Sequence, residues 1–312
     1  MVQKLFLRRL RDFGEKISDS LLFIKINWKN LFLLYVIFVV PFIIVAGIVG
    51  VLYASRIYTG LQGNADIFKI SDFFSVELAV IFLCLLMSGA SYQASVYSYM
   101  RLYEENKGEL PTLAQVGQLF TKKAVKIFIY SIGVSILFAI CIFLPLILVA
   151  VLPIVSFFIF MLLFLFGVMF FLHVNCVYVM EDGDFGSGIF RTFDLLRNRW
   201  WHCMGYTFII GIIYYVFSLV VQLLFSLLGV FSINFLDPFP FEGSESKSAV
   251  ITMVLGFGLI LLINELFYLI VFSGVGVNYF SLVEEKDGSA IEEQIDTIGT
   301  HNDKYGGIEE EY

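Results

Sequence analysis

The chain has 312 residues, of which 59% are hydrophobic and only 15% charged, with a mean hydropathy of +0.87 and a formal net charge of −7. Soluble domains carry about 45–50% apolar and about 25% charged residues, so this composition excludes an ordinary water-soluble globule, and most of the chain is expected to face lipid. A pI near 5.0 lacks the basic footprint of a nucleic-acid binder.

Residues 1–30 mix seven Lys/Arg with Asp12, Glu15 and Asp19, and no short apolar stretch there ends at a small-residue cleavage site. They read as a cytoplasmic N-terminus with an interfacial amphipathic helix, whose residues Phe13, Ile17, Leu21, Ile24 and Trp28 share one apolar face. Six apolar runs are then long enough to cross a bilayer core, which needs about 20 helical residues. They lie at 31–53, 73–99, 126–149, 152–179, 204–231 and 250–282. Between the third and fourth, Pro145 and Pro153 bracket a short uncharged turn and predict a tight helical hairpin. Residues 112–125 and 185–200 predict two further interfacial helices. The loops 54–72 and 232–249 are short, and Phe235, Phe239 and Phe241 can anchor the second at the interface. Residues 284–312 are acidic and read as a disordered or partner-binding cytoplasmic tail.

Basic residues fix the expected orientation. Seven lie in 1–30, five in 101–126, three in 181–200 and two beyond 284, leaving Arg56, Lys69 and Lys247 for the other side. Six spans with both termini cytoplasmic keep all of the first group inside. The fold class is therefore an all-α integral membrane protein, expected in a bacterial cytoplasmic (inner) membrane.

An internal repeat is visible at an offset of 172. Phe13, Gly14, Ile17, Ser20, Lys25 and Trp28 match Phe185, Gly186, Ile189, Thr192, Arg197 and Trp200. The chain thus reads as three units, each an amphipathic helix followed by two spans, in parallel orientation. Trp28, Trp200 and Trp201 are the expected interfacial anchors.

The stretch 179–201, VMEDGDFGSGIFRTFDLLRNRWW, resembles the membrane domain of the glycerophosphoryl diester phosphodiesterase family and related bacterial six-span proteins. Glu181, Gly183, Arg191, Thr192 and Trp200 carry the match. The resemblance implies a six-span helical domain. It does not carry over a phosphodiesterase activity, because no barrel domain follows residue 284 in this sequence.

Ionisable and amide groups within a membrane are costly and mark candidate sites. Glu265 lies mid-span beside Asn264, and is read as interhelical glue ahead of a proton or cation site. His173 and Asn175 are expected to join Gln222 and Gln93 in one polar cluster. Arg8, Arg9, Arg11, Lys122, Lys123, Arg197 and Arg199 are read first as setting orientation alone, and beyond that as candidates to meet anionic lipid headgroups. Cys84, Cys141, Cys176 and Cys203 form no CxxC pair, and His173, His202 and His301 do not share a helix face, so no metal or cofactor is expected. The pairs Gly47/Gly50, Gly256/Gly258 and Gly274/Gly276 are off-register for a dimer motif and read as packing or bending points. No nucleophile, zincin or phosphate-loop motif occurs. The expectation is a non-enzymatic scaffold or lipid-handling membrane protein whose partners are lipids and, through the acidic tail, a protein. The alternative is a small transporter using Glu265 and His173/Asn175.

Overall fold

The computed structural model describes residues 4–63, 75–149, 153–227 and 245–288, with the backbone alone over 57–63, 134–149, 153–154, 226–227 and 245–255 and at 185 and 257. Among the described residues the chain forms eight helices and no strand: α1 (Phe13–Phe38), α2 (Val40–Gly63), α3 (Val76–Glu105), α4 (Leu113–Val149), α5 (Pro153–Met180), α6 (Phe185–Leu196), α7 (Trp200–Leu227) and α8 (Glu245–Asp287). Five of them, α1, α3, α5, α7 and α8, are long and apolar enough to cross a membrane. The turn between Pro145 and Pro153, the chain from 64 to 74 and from 228 to 244, and the tail from 289 onward lie outside the described residues, although Pro153 itself opens α5.

Helix α1 is started by Asp12. Its carboxylate accepts from the Glu15 amide at 2.7 Å while the Glu15 side chain accepts from the Asp12 amide at 3.0 Å, which satisfies two of the amides that a helix start leaves orphaned. The helix runs through Trp28 and stops only at Val39, two residues before Pro41, whose missing N–H and ring break the hydrogen-bond ladder. The expected boundary near residue 30 is therefore corrected: the interfacial helix and the start of the first span are one rod, and the break falls inside the apolar run. Residues 112–125 are corrected likewise. No proline interrupts 112–144, and α4 continues through them without a stop. Residues 185–200 do hold a separate helix. It ends early, at Leu196, because Arg197 is extended and Asn198 adopts φ 75°, a left-handed conformation that Asn tolerates better than most residues.

The helices pack as limbs of alternating direction. Lys16 meets Asn278 and Tyr35 meets Leu262, so α1 runs antiparallel to α8. Tyr92 meets Leu266 and α3 runs parallel to α8. Asn175 meets Gln93, which sets α5 parallel to α3. Tyr214 stacks on Tyr268 and Phe217 on Phe267 with α7 antiparallel to α8. Helix α8 is the hub because its small residues let neighbours approach. A Cβ on Gly274 would stand 3.2 Å from Ile210 of α7, and one on Gly276 would overlap the Met100 sulfur of α3. Gly274 and Gly276 are therefore packing points, whereas a Cβ on Gly47 or Gly258 would meet nothing within 4 Å among the described residues.

Side chains are sorted opposite to a water-soluble bundle. Helix α1 buries Asp19, Ser20, Phe23 and Asn27 and exposes Leu21, Trp28 and Phe32. Helices α5 and α7 expose Phe157, Phe158, Val220, Leu223 and Leu224. Polar groups satisfied inside and aliphatic groups outside are what a lipid solvent selects.

One end of the bundle gathers the basic segments. Arg8 faces Glu104, Arg101 grips Asp182 through two parallel bonds of 2.8 and 2.9 Å, Arg191 pairs with Glu181 and Asp287, Arg199 with Glu285, and Lys286 with Asp194. The start of the expected acidic tail is thus the last turn of α8, and three of its charges are taken by residues of this same chain. The opposite end holds Arg56 against Glu77 at 2.7 Å.

The two segments related by the offset of 172 share local geometry. Asp12 and Asp184 each precede the first helical residue, Ser20 and Thr192 donate back to the carbonyls of Lys16 and Gly188 at 2.6 and 2.7 Å, and Phe23 and Leu195 are both buried.

Candidate functional site

The start of α1, the start of α7 and the end of α8 converge at the basic end around an inlet of about 420 Å³. Its rim carries Phe13, Arg199, His202 and Glu285, and its inner wall Lys16 and Cys203. The Lys16 ammonium donates to the Asn278 side-chain oxygen at 2.9 Å. Among the described residues no carboxylate lies within ion-pair distance of it. The Asn278 amide nitrogen in turn donates to Nε2 of His173 at 2.9 Å and lies 3.7 Å from the Cys203 sulfur. Because Nε2 accepts, the proton of the neutral ring sits on Nδ1, which donates to the Met169 carbonyl at 2.8 Å. A polar relay therefore runs from the inlet to a buried imidazole. Tyr206 frames it, with its hydroxyl 3.2 Å from the Gly274 carbonyl and 3.0 Å from the Ser20 hydroxyl.

The expected cluster of His173, Asn175, Gln93 and Gln222 divides into three. His173 and Asn175 are two residues apart, about 200° around a helix, so they face different neighbours. Asn175 donates to Gln93 at 2.7 Å between α5 and α3, and its own side-chain oxygen has no partner among the described residues. Gln222 is on the exposed side of α7 and donates to Ser218 of its own helix at 3.1 Å. The charge of Glu265 is felt at Tyr35, Tyr92 and Tyr214, but the hydroxyls of Tyr35 and Tyr92 are turned to the Leu262 and Leu266 carbonyls at 2.5 and 3.1 Å. The neighbouring Asn264 oxygen is buried without a partner among the described residues.

Two of the seven expected headgroup residues are corrected. The Arg11 side chain is fully buried, bonding Asp19 at 2.7 Å and the Leu7 and Phe6 carbonyls at 2.5 and 2.6 Å. Burial pulls its pKa below the ordinary value, against the opposing pull of Asp19. It staples the segment 4–12 onto α1 and cannot reach a headgroup. Lys123 is buried too. It donates to the Tyr178 and Glu181 carbonyls at 2.9 and 3.2 Å and lies 4.5 Å from the Tyr178 ring centroid, closing the C-terminal end of α5. Arg9 bonds Asp19 at 2.7 Å, yet its side chain is 45% exposed. Lys122, Arg197, Arg199 and Arg8 remain at the surface. Of the expected anchors, Trp28 and Trp201 are exposed, at 55% and 74%. Trp200 instead packs against Phe166 and Phe193, with ring centroids 5.2 and 5.6 Å away.

Among the residues that carry the family resemblance, Glu181 accepts from both Arg191 and Tyr279 at 3.1 Å. A Cβ on Gly183 would stand 2.6 Å from the Ser187 hydroxyl. These residues build the turn between α5 and α6 and do not line the inlet.

Sequence reading missed Lys16 and Asn278. Asn278 stood in SGVGVNYFSLV as a lone amide in an apolar run, a signal of the same kind that singled out Asn175. Cys84, Cys176 and Cys203 are buried thiols. Among the described residues no group of three His, Cys, Asp or Glu is placed to hold a metal ion. No protein-family model, curated protein or solved structure matches the chain.

Proposed function

We propose that the chain is a six-span protein of a bacterial cytoplasmic membrane, with both termini inside, that handles anionic lipid at its basic end without catalysing a reaction. The observation that carries this reading is the inlet: a cavity walled by Lys16 is lined by the exposed Leu10 and Phe13 and by His202, next in sequence to the exposed Trp201. Exposed aromatic and aliphatic groups beside cations are the chemistry of the headgroup–acyl boundary. The gathering of the basic segments at one end supports the orientation, and the shared position of Asp12 and Asp184 before the helix together with the shared back-bonding of Ser20 and Thr192 supports an ancestral duplication. The resemblance of 179–201 to the glycerophosphoryl diester phosphodiesterase membrane domain supports the six-span reading. The tail beyond 288 is the proposed contact for a protein partner.

The experiment is to purify the full chain in a neutral detergent and compare its bound lipids with those of the parent membrane. Enrichment of anionic lipid is expected. A bound fraction with the composition of the bulk membrane contradicts the reading.

A second reading, a small transporter, is favoured by one observation: Glu265 is a carboxyl among three tyrosines inside the apolar part of the bundle. It predicts that Glu265→Gln abolishes proton-coupled flux in reconstituted vesicles while the chain stays folded. Unchanged flux, or no flux in the parent protein, contradicts it.

A further inference from the structure

We infer that the inlet between α1, α7 and α8 recognises a single phosphate group, with Lys16 as its principal contact. This rests on the lipid-handling reading and names the chemical class that the site takes.

The charges at the inlet divide unevenly. Asp12 accepts from the first turn of α1, Glu285 is held by Arg199, and Arg11 is held by Asp19. Lys16 alone of these has an uncharged side chain as its partner, the Asn278 oxygen. An ammonium has three donors, and the bond to Asn278 occupies one of them. Lys16 is half-buried, and a partly desolvated cation without a carboxylate is costly to hold, so an anion entering the inlet gains more there than on the open surface. A further field points the same way. The first turns of α1 and of α7 both line the cavity, and the positive end of the α7 dipole is turned to it, while that of α1 is already met by the Asp12 carboxylate. His202 and Arg199 stand at the mouth, where they can follow the ligand's remaining oxygens.

Phosphate fits this better than a carboxylate. Its several oxygens can accept from Lys16 and Arg199 at once. The cavity, at about 420 Å³, is within the size range of small-ligand sites. The Asn278 amide is locked from behind by His173, so the ammonium is held in place before a ligand arrives. A phospholipid headgroup and free phosphate share this chemistry, and the position of the mouth beside Leu10 and Phe13 favours the former.

The full chain in a neutral maltoside detergent is titrated with dihexanoyl phosphatidic acid, with inorganic phosphate and with dihexanoyl glycerol, and binding is read by calorimetry. Saturable binding of the phosphatidic acid is expected, with none of the glycerol. Inorganic phosphate competing for the same site assigns recognition to the phosphate alone, and its failure to compete assigns it to phosphate together with the acyl boundary. Lys16→Gln is expected to weaken binding about tenfold, and Lys126→Gln, an exposed cation beside Asp184 outside the inlet, to leave it unchanged. If Lys16→Gln does not fold, Arg199→Gln at the mouth is expected to weaken binding severalfold. Equal binding by the parent and both inlet variants, or no saturable binding, overturns the inference. Anionic lipid enriched on the purified chain would then still uphold the lipid-handling reading, with recognition elsewhere.

Discussion

Lys16 and Asn278 stand 262 residues apart in sequence and 2.9 Å apart in space. That bond ties the first helix to the last and fixes the charge of the inlet. Asn278 serves both sides: its oxygen accepts from Lys16 and its nitrogen donates to His173. Asn278→Leu therefore strands the buried His173 nitrogen and the half-buried Lys16 ammonium and should cost about 1–3 kcal/mol of stability, measured by thermal or denaturant unfolding in detergent. Asn278→Asp supplies the carboxylate that Lys16 lacks. It also removes the donor to His173 and sets an oxygen against the accepting Nε2, so it should cost stability as well, and it should lower phosphate binding at least as far as Lys16→Gln does.

Asp19 is the anchor of the N-terminal segment. It accepts from Arg9 and Arg11, and Arg11 in turn holds the carbonyls of Phe6 and Leu7. Asp19→Asn leaves the Arg11 guanidinium buried without its counter-charge and should cost about 3 kcal/mol or more. Protease should then cut residues 4–12 faster than in the parent chain, and an unchanged digestion pattern would refute the staple.

Gly276 faces Met100 so closely that any Cβ requires the methionine to move. Gly276→Val should therefore destabilise by about 1–3 kcal/mol. Met100→Ala should recover part of that loss in the double variant, because the two changes share one contact. Additive losses would show that the two helices do not meet there.

The Arg101–Asp182 pair sets a pH limit. The hydrogen bonds from Arg101 hold the Asp182 carboxyl below its ordinary range, so the folded state favours the ionised form. The stability it supplies is complete above the unfolded value of about 3.9 and disappears as pH falls through the lower folded value. Asp194, held low by Lys286, behaves in the same direction. Both carboxyls are well exposed, so the effect is small. Unfolding midpoints of the parent and of Asp182→Asn should differ by a constant amount from pH 8 to 5 and converge only below about pH 4.

The helices were legible because an apolar run of more than about 20 residues has few alternatives to a helix. The break at Val39 was also legible in principle, since Pro41 sits inside the first run. The direction of α1 was harder. Phe13, Ile17, Leu21, Ile24 and Trp28 share a stripe whether the partner is a protein core or lipid, and the burial of Asp19, Ser20 and Asn27 behind it depends on the tyrosines and arginines that meet them. Charge counts located the basic end, but a count cannot separate Lys122, which is exposed, from Lys123, which turns inward to two carbonyls. The division of His173 from Asn175 followed from their spacing alone. The inlet did not, because its walls come from positions 10–16, 199–206 and 281–285, and chain proximity of that kind is written only in the fold.

The central claim is that the basic end faces the cytoplasm and the Arg56–Glu77 end faces outward. Single cysteines at Ser187, exposed at the basic end, and at Val76, exposed at the other, test it directly with a membrane-impermeant maleimide on a chain whose native cysteines are replaced by alanine. The cysteine at 76 should react in intact cells, and the one at 187 only after the membrane is opened. Reaction of both from the same side, or the reverse order, would contradict the account.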